Sequence, residues 1–219
     1  KKVKYLVEYL NADVNYFDED HSPPLNCAAE NGHIEICRCL IESYGANIDK
    51  DGLLTPLHEA AANGQIEICK YLIENCIVHA NAIGRSGSNS LHDAALSGRL
   101  GVCKYLVESC NVDVNIRGSD ESTPLHYAAT SGQIEICKYL VEVCNADINV
   151  KDCEGSTPLH YAASTGYLEV CKYLVESCKV DSMMAEEEEG RTPLWMAANR
   201  EKDVVVEFLV KHGKAVPPE

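Results

Sequence analysis

The chain has 219 residues, and 34 acidic against 19 basic side chains give it a formal net charge of −15. Such a surface repels a phosphate backbone, so no nucleic-acid partner is expected, and a partner carrying basic residues is favoured. No apolar run approaches the ~18 residues of a membrane-spanning helix, so membrane insertion is not expected either.

From the start, KKVKYLVE (Lys1–Glu8) reads as an amphipathic helix whose end, KYLVE, returns at Lys138–Glu142. A second kind of segment follows in PPLNCAA (23–29), and it too returns: TPLHEAA (55–61), NSLHDAA (89–95), TPLHYAA (123–129), TPLHYAA (157–163) and TPLWMAA (192–198). Measured at Pro24, Pro56, Ser90, Pro124, Pro158 and Pro193, the steps are 32, 34, 34, 34 and 35 residues. After each of the first five comes G-x-I/L-E/G-I/V-C, at 32–37, 64–69, 98–103, 132–137 and 166–171. The chain is one unit repeated.

The copy at Thr123–Glu142 shows why the unit folds. Pro124 suits the first turn of a helix, where its missing N–H is not needed, and Thr123 stands at the N-cap. Leu125, Ala128 and Ala129 then form a narrow apolar stripe at helical spacing. Ser131-Gly132 ends that helix. A second helix from Gln133 turns Ile134, Cys137, Leu140 and Val141 to one side, and Glu135, Lys138 and Glu142 to the solvated side. Two helices this short cannot bury enough surface alone, so copies must stack.

The period and the T-P-L-H-x-A signature resemble the ankyrin repeat, a β-turn followed by two antiparallel helices. The resemblance implies an all-α ankyrin-repeat solenoid with short hairpin fingers, forming one domain over 1–219. Its units are a partial repeat at 1–17 that supplies a second helix only, repeats at 18–49, 50–83, 84–117, 118–151 and 152–185, and a C-terminal capping repeat at 186–219. The start in mid-repeat suggests a piece of a longer protein. Trp195 in place of the motif His, Glu201 in place of Gly and Asp203 on a stacking face suit a terminal cap. One residue is added after most second helices, with Asn111 and Asn145 turning the chain at positive φ. The fingers at Ile48–Leu54 and Met183–Gly190 depart from the common length, and Glu186–Glu189 reads as a solvated acidic loop.

The twelve cysteines and the histidine ladder are the residues best suited to carry chemistry. Cys37, Cys69, Cys103, Cys137 and Cys171 share one buried position, and Cys76, Cys110, Cys144 and Cys178 share another seven residues on. That separation of roughly 10 Å exceeds disulfide reach, so these read as small buried hydrophobes of a reducing, cytoplasmic compartment. Cys153 is the best redox candidate. His58, His92, His126 and His160 recur at one repeat position, where the ankyrin histidine ties the turn Thr to nearby backbone. Tyr71, Tyr105, Tyr139 and Tyr173 read as packing residues of the outer helices. No catalytic constellation, metal set or cofactor motif is present: His58-Glu59 lacks the second His of a zinc motif, and no phosphate loop occurs. The chain is read as a non-enzyme, monomeric in isolation, with no cofactor.

In the ankyrin family, partners bind the concave face of first helices and fingertips. Carried onto this chain, that face includes Glu59, Asp93, Tyr127, Tyr161 and Met196 after the motif histidine position, Leu96 in the next row, and Arg85, Arg117, Asp120, Lys151 and Glu154 at the fingers. Tyr127 and Tyr161 are expected side by side as an aromatic anchor, with acidic charge toward the N-terminal half. The resulting expectation is a protein–protein interaction scaffold. Alternatives are a regulatory or targeting domain cut from a larger protein, and a substrate for asparaginyl hydroxylation at Asn15, Asn115 or Asn149.

Overall fold

The computed structural model describes residues 2–16, 22–48, 55–84, 87–186 and 190–212. In chain order its helices are α1 (Lys2–Leu10), α2 (Pro24–Glu30), α3 (Ile34–Arg38), α4 (Pro56–Asn63), α5 (Ile66–Glu74), α6 (Ser90–Leu96), α7 (Leu100–Lys104), α8 (Pro124–Thr130), α9 (Ile134–Lys138), α10 (Pro158–Thr165), α11 (Leu168–Lys172), α12 (Pro193–Asn199) and α13 (Asp203–His212). The even-numbered helices form an inner row in which α2 packs on α4, α4 on α6, and so on to α12. The others form an outer row with thinner mutual contacts. Among the described residues the only β pairing is a bridge between Ile83 and Asn89 at the base of one finger.

The alanine pairs explain the tight inner row. Ala60, Ala61, Ala94, Ala95, Ala128, Ala129, Ala162 and Ala163 are fully buried, so neighbouring backbones approach over methyl groups. Leu57, Leu91, Leu125 and Leu159 fill the remaining space, each worth about 1.5–3 kcal/mol of burial. Gly132 shows how closely the units meet. It holds φ +73, and a Cβ there would lie 2.2 Å from Tyr167 of the next unit.

In four of the outer helices the inserted residue is taken up inside the helix rather than after it, while α5 stays α-helical to Glu74. α3, α7, α9 and α11 each continue into a π turn, at Cys39–Ser43, Tyr105–Ser109, Tyr139–Val143 and Tyr173–Ser177. A π turn is how a helix absorbs one extra residue. The helices then close alike, the N–H of Ala46, Val78, Val112, Ala146 and Val180 donating to the carbonyl six residues back. That closure needs a left-handed residue just before it. Asn111 and Asn145 occupy it at φ 53 and 55, as expected; Ile77 and Lys179 also do, at 58 and 60.

The tyrosines of the outer row do more than pack. Tyr71, Tyr105 and Tyr139 donate their hydroxyls to Glu42, Glu74 and Glu108 of the preceding unit at 2.9–3.0 Å. Arg38 and Lys104 sit over the rings of Tyr71 and Tyr139 at 4.6 and 5.6 Å. The segments of α5, α7 and α9 are thereby each hydrogen-bonded to the preceding unit. The acidic loop also differs from expectation, because Glu186 is buried, gripping the Arg191 Nε–H and accepting from Ser156 Oγ at 3.3 Å. Glu187, Glu188 and Glu189, and most of the finger at Ile48–Leu54, lie outside the described residues.

Candidate functional site

The inner-helix face is built on the histidine ladder. Thr123 N–H donates to His126 Nδ1 at 3.0 Å, which leaves the proton on Nε2. Nε2 lies 3.1 Å from the Ser156 carbonyl of the next finger and donates to it. His92 reaches Ser122 and His160 reaches Arg191 in the same way, at 3.1 and 3.2 Å. The three rings are buried, and desolvation holds each of them below the usual histidine range, so they stay neutral. The nearby backbone expected from sequence is thus the neighbouring unit's. His58 is the odd rung: Thr55 Oγ1 lies 2.7 Å from its Nδ1, but among the described residues its buried Nε2 has no hydrogen-bond partner.

The residue after each histidine position rests on the preceding rung. Tyr127 meets His92 edge-on at 5.0 Å, and Tyr161 meets His126 at 5.6 Å. Among the described residues the two tyrosine rings therefore stack on histidines rather than on each other. Both are half-buried, and Tyr161 donates to Asp152 Oδ2 at 2.6 Å. Burial and that carboxylate push the Tyr161 phenol up. The two tyrosines stand on the neighbouring helices α8 and α10, each set against the histidine of the unit before it, and Tyr161 is further held by Asp152.

Asp93 holds the tyrosine position in its own repeat, and its charge acts on His58 in place of an aromatic edge. Burial raises the Asp93 carboxyl above its ordinary value, against the favourable His58 and the 3.0 Å bond from Ser88 Oγ. Glu59 is raised as well, first by burial and then by repulsion from Glu30 and Asp93. These three acids form a negative stripe at the N-terminal half. Among the described residues none of the three takes part in a salt bridge.

At the other end, Tyr161, Ser164, Arg191, Trp195, Met196 and Arg200 line a notch of about 220 Å³, with Glu154 on its rim. Trp195 is 44 % exposed, and the Arg191 guanidinium lies 5.5 Å over its ring. In sequence Trp195 suits a terminal cap; the signal of a site there is a tryptophan next to Met196 in the row that varies between units. A second depression, about 340 Å³, opens on the outer row beside Ile73, Ile77, Val78 and Tyr105, away from the expected face.

Of the other expected face residues, Leu96 is 40 % exposed, and Asp120 and Glu154 are exposed at fingertips. Arg117 is committed to scaffold, donating to Glu121 Oε2 at 3.0 Å and to the Lys151 carbonyl at 2.9 Å. Arg85 lies outside the described residues. Asn15 and Asn115 accept from Asn47 N–H and Asp147 N–H of the next unit, at 2.8 and 2.9 Å. All twelve cysteines are free. Burial pushes the Cys69, Cys103, Cys137 and Cys171 thiols up to about 12. Cys153 is exposed yet also raised, the neighbouring Asp152, Asp120 and Glu154 adding to desolvation. Reactive thiols need electropositive surroundings, so its surroundings disfavour the thiolate. Among the described residues, no cluster of three or more His, Cys, Asp and Glu is arranged to hold a metal, and no helix is long and apolar enough to cross a membrane.

Family models match the chain as ankyrin repeats (three copies) over residues 1–52, 44–118 and 91–184, and as an ankyrin repeat over 189–218. Comparison with curated proteins gave no match.

Proposed function

Since this chain belongs to the ankyrin repeat family, we propose that it holds a segment of another protein across its concave inner-helix face. Ankyrin repeats are generally protein–protein interaction modules, and such proteins are typically non-enzymatic scaffolds. The observation that carries the reading is where the repeats stop agreeing. Buried alanines, leucines and histidines recur from unit to unit, while the row after the histidine runs Cys27, Glu59, Asp93, Tyr127, Tyr161, Met196. A scaffold needs the first set constant; recognition uses the second. Glu59 and Asp93, without a salt bridge among the described residues and raised by burial, favour a partner with lysine or arginine.

The test is selection of peptides from a random phage library on the intact chain, followed by affinity measurement against the charge-reversed Glu59→Lys/Asp93→Lys variant. The expected result is a loss of at least tenfold with helical content unchanged, since each tenfold corresponds to about 1.4 kcal/mol. Unchanged affinity would remove this face from consideration.

A further inference from the structure

The notch at Tyr161, Trp195 and Met196 has the capacity of one side chain. At about 220 Å³ it is smaller than the ~300–1,000 Å³ of small-molecule sites, yet larger than the ~150 Å³ cavity that holds a benzene ring. Tyr161, Trp195 and Met196 give it an apolar patch within an otherwise polar lining, and two of its walls are braced. Tyr161 is tied to Asp152, and the Arg191 guanidinium, clamped by the buried Glu186, lies over the Trp195 ring. A rigid aromatic wall binds an apolar side chain with little ordering cost.

Charge says what reaches it. The acidic stripe lies on the same row of inner helices, three units away: Asp93, Tyr127, Tyr161 and Met196 are successive members of that row. Packed helices stand about 8–10 Å apart, so Asp93 and Met196, the far wall of the notch, are separated by roughly 27 Å, and Glu59 and Met196 by roughly 36 Å. An extended chain advances about 3.3 Å per residue and covers those spans in about eight and eleven residues.

Building on the concave-face reading, we infer that one extended partner segment seats an aromatic or branched aliphatic side chain in the Tyr161–Trp195–Met196 notch. The same segment sets a lysine or arginine on Asp93 or Glu59, about eight to eleven residues away. The partner is a protein segment of that pattern, with a single anchor and a single basic end.

Trp195 is the only tryptophan of the chain, so its emission reports the notch directly. Peptides of roughly 16 residues, long enough to span both sites, are selected from a random library on the intact chain. They are expected to carry a basic and a large apolar residue about eight to eleven positions apart. They should shift Trp195 emission to shorter wavelength, and bind Ser164→Phe, which fills the notch from its rim, and Met196→Ala at least tenfold more weakly. Selected peptides that lack the spacing, leave the emission unchanged or bind both notch variants as tightly as the parent overturn the inference. If Glu59→Lys/Asp93→Lys still abolishes their binding, the concave-face reading survives without the notch. If that variant also binds them normally, both readings fall.

Discussion

Ile77 is the place where the repeat works against its own backbone. It sits at φ 58 just before the Val78 N–H that closes α5 onto Leu72, where other units place Asn11, Gly45, Asn111 and Asn145. A left-handed L-residue costs about 1–2 kcal/mol, and isoleucine belongs at the upper end because both branches at Cβ crowd the backbone. The side chain returns little, since Ile77 is 83 % exposed. Its buried fraction of a full ~2–3 kcal/mol is worth about 0.5 kcal/mol. Ile77→Asn, which places there the residue used in three other units, is therefore expected to stabilise the protein by about 1 kcal/mol. For a chain of this size that raises Tm by about 2–4 °C. Ile77→Gly should gain less, because glycine's freedom in the unfolded chain removes ~0.5–1 kcal/mol. Thermal and urea unfolding followed by far-ultraviolet circular dichroism measure both, with Asn111→Ile as the reverse exchange. No gain in Ile77→Asn together with no loss in Asn111→Ile would refute the strain argument.

Two further expectations concern the acids and the tyrosines. Glu59 and Asp93 have folded-state pKa values raised above their unfolded ones, so the folded protein holds more protons just above the ordinary carboxylate range. Stability from these groups therefore falls as pH rises through that window and its upper edge, and is restored on acidification. Glu59→Gln/Asp93→Asn should accordingly be more stable than the parent at neutral pH, with the difference shrinking toward pH 4, as paired unfolding curves across that range would read. Tyr105→Phe removes a hydroxyl donating to Glu74 while keeping a ring that is 8 % exposed, and should cost about 1 kcal/mol. Tyr173→Phe should cost nothing, because among the described residues the buried Tyr173 hydroxyl has no hydrogen-bond partner; urea midpoints of the two variants side by side make the comparison.

The fold was legible because its determinants recur with the period. TPLH, the alanine pair and the Gly before five of the outer helices announce themselves by repetition, and Asn111 and Asn145 are readable as left-handed residues from their chemistry alone. What escaped was whatever joins one unit to the next. The Tyr105–Glu74 bond spans 31 residues, and the His126–Ser156 tie spans 30. Local patterning carries no trace of such pairings, because each partner alone looks like an ordinary surface acid or finger residue. The π turns escaped for a related reason: an added residue can bulge in a loop or inside a helix, and hydrogen-bond competition decides. Glu186 was misread because a run of four glutamates suggests solvent, while its burial depends on Arg191 closing over it.

The departures from the repeat are not scattered, and that bears on the function. Asp93 stands in the row where Tyr127 and Tyr161 cover a histidine, Glu59 adds a second half-buried carboxylate beside it, and Trp195 replaces the histidine at the far end. Each of these sacrifices a local contact that the other units keep. Asp93 brings no aromatic edge to His58, whose Nε2 among the described residues lacks the carbonyl tie that His92, His126 and His160 make. The two carboxylates repel each other, and an indole is left 44 % exposed. In a stack where nearly every other choice serves packing, such violations concentrate where another requirement acts. All of them lie on the first helices of their units, and a segment with one basic and one apolar anchor would relieve both ends at once. That coincidence also predicts the sign of the trade: substitutions that calm Glu59 and Asp93 should stabilise the free protein and weaken its complexes together.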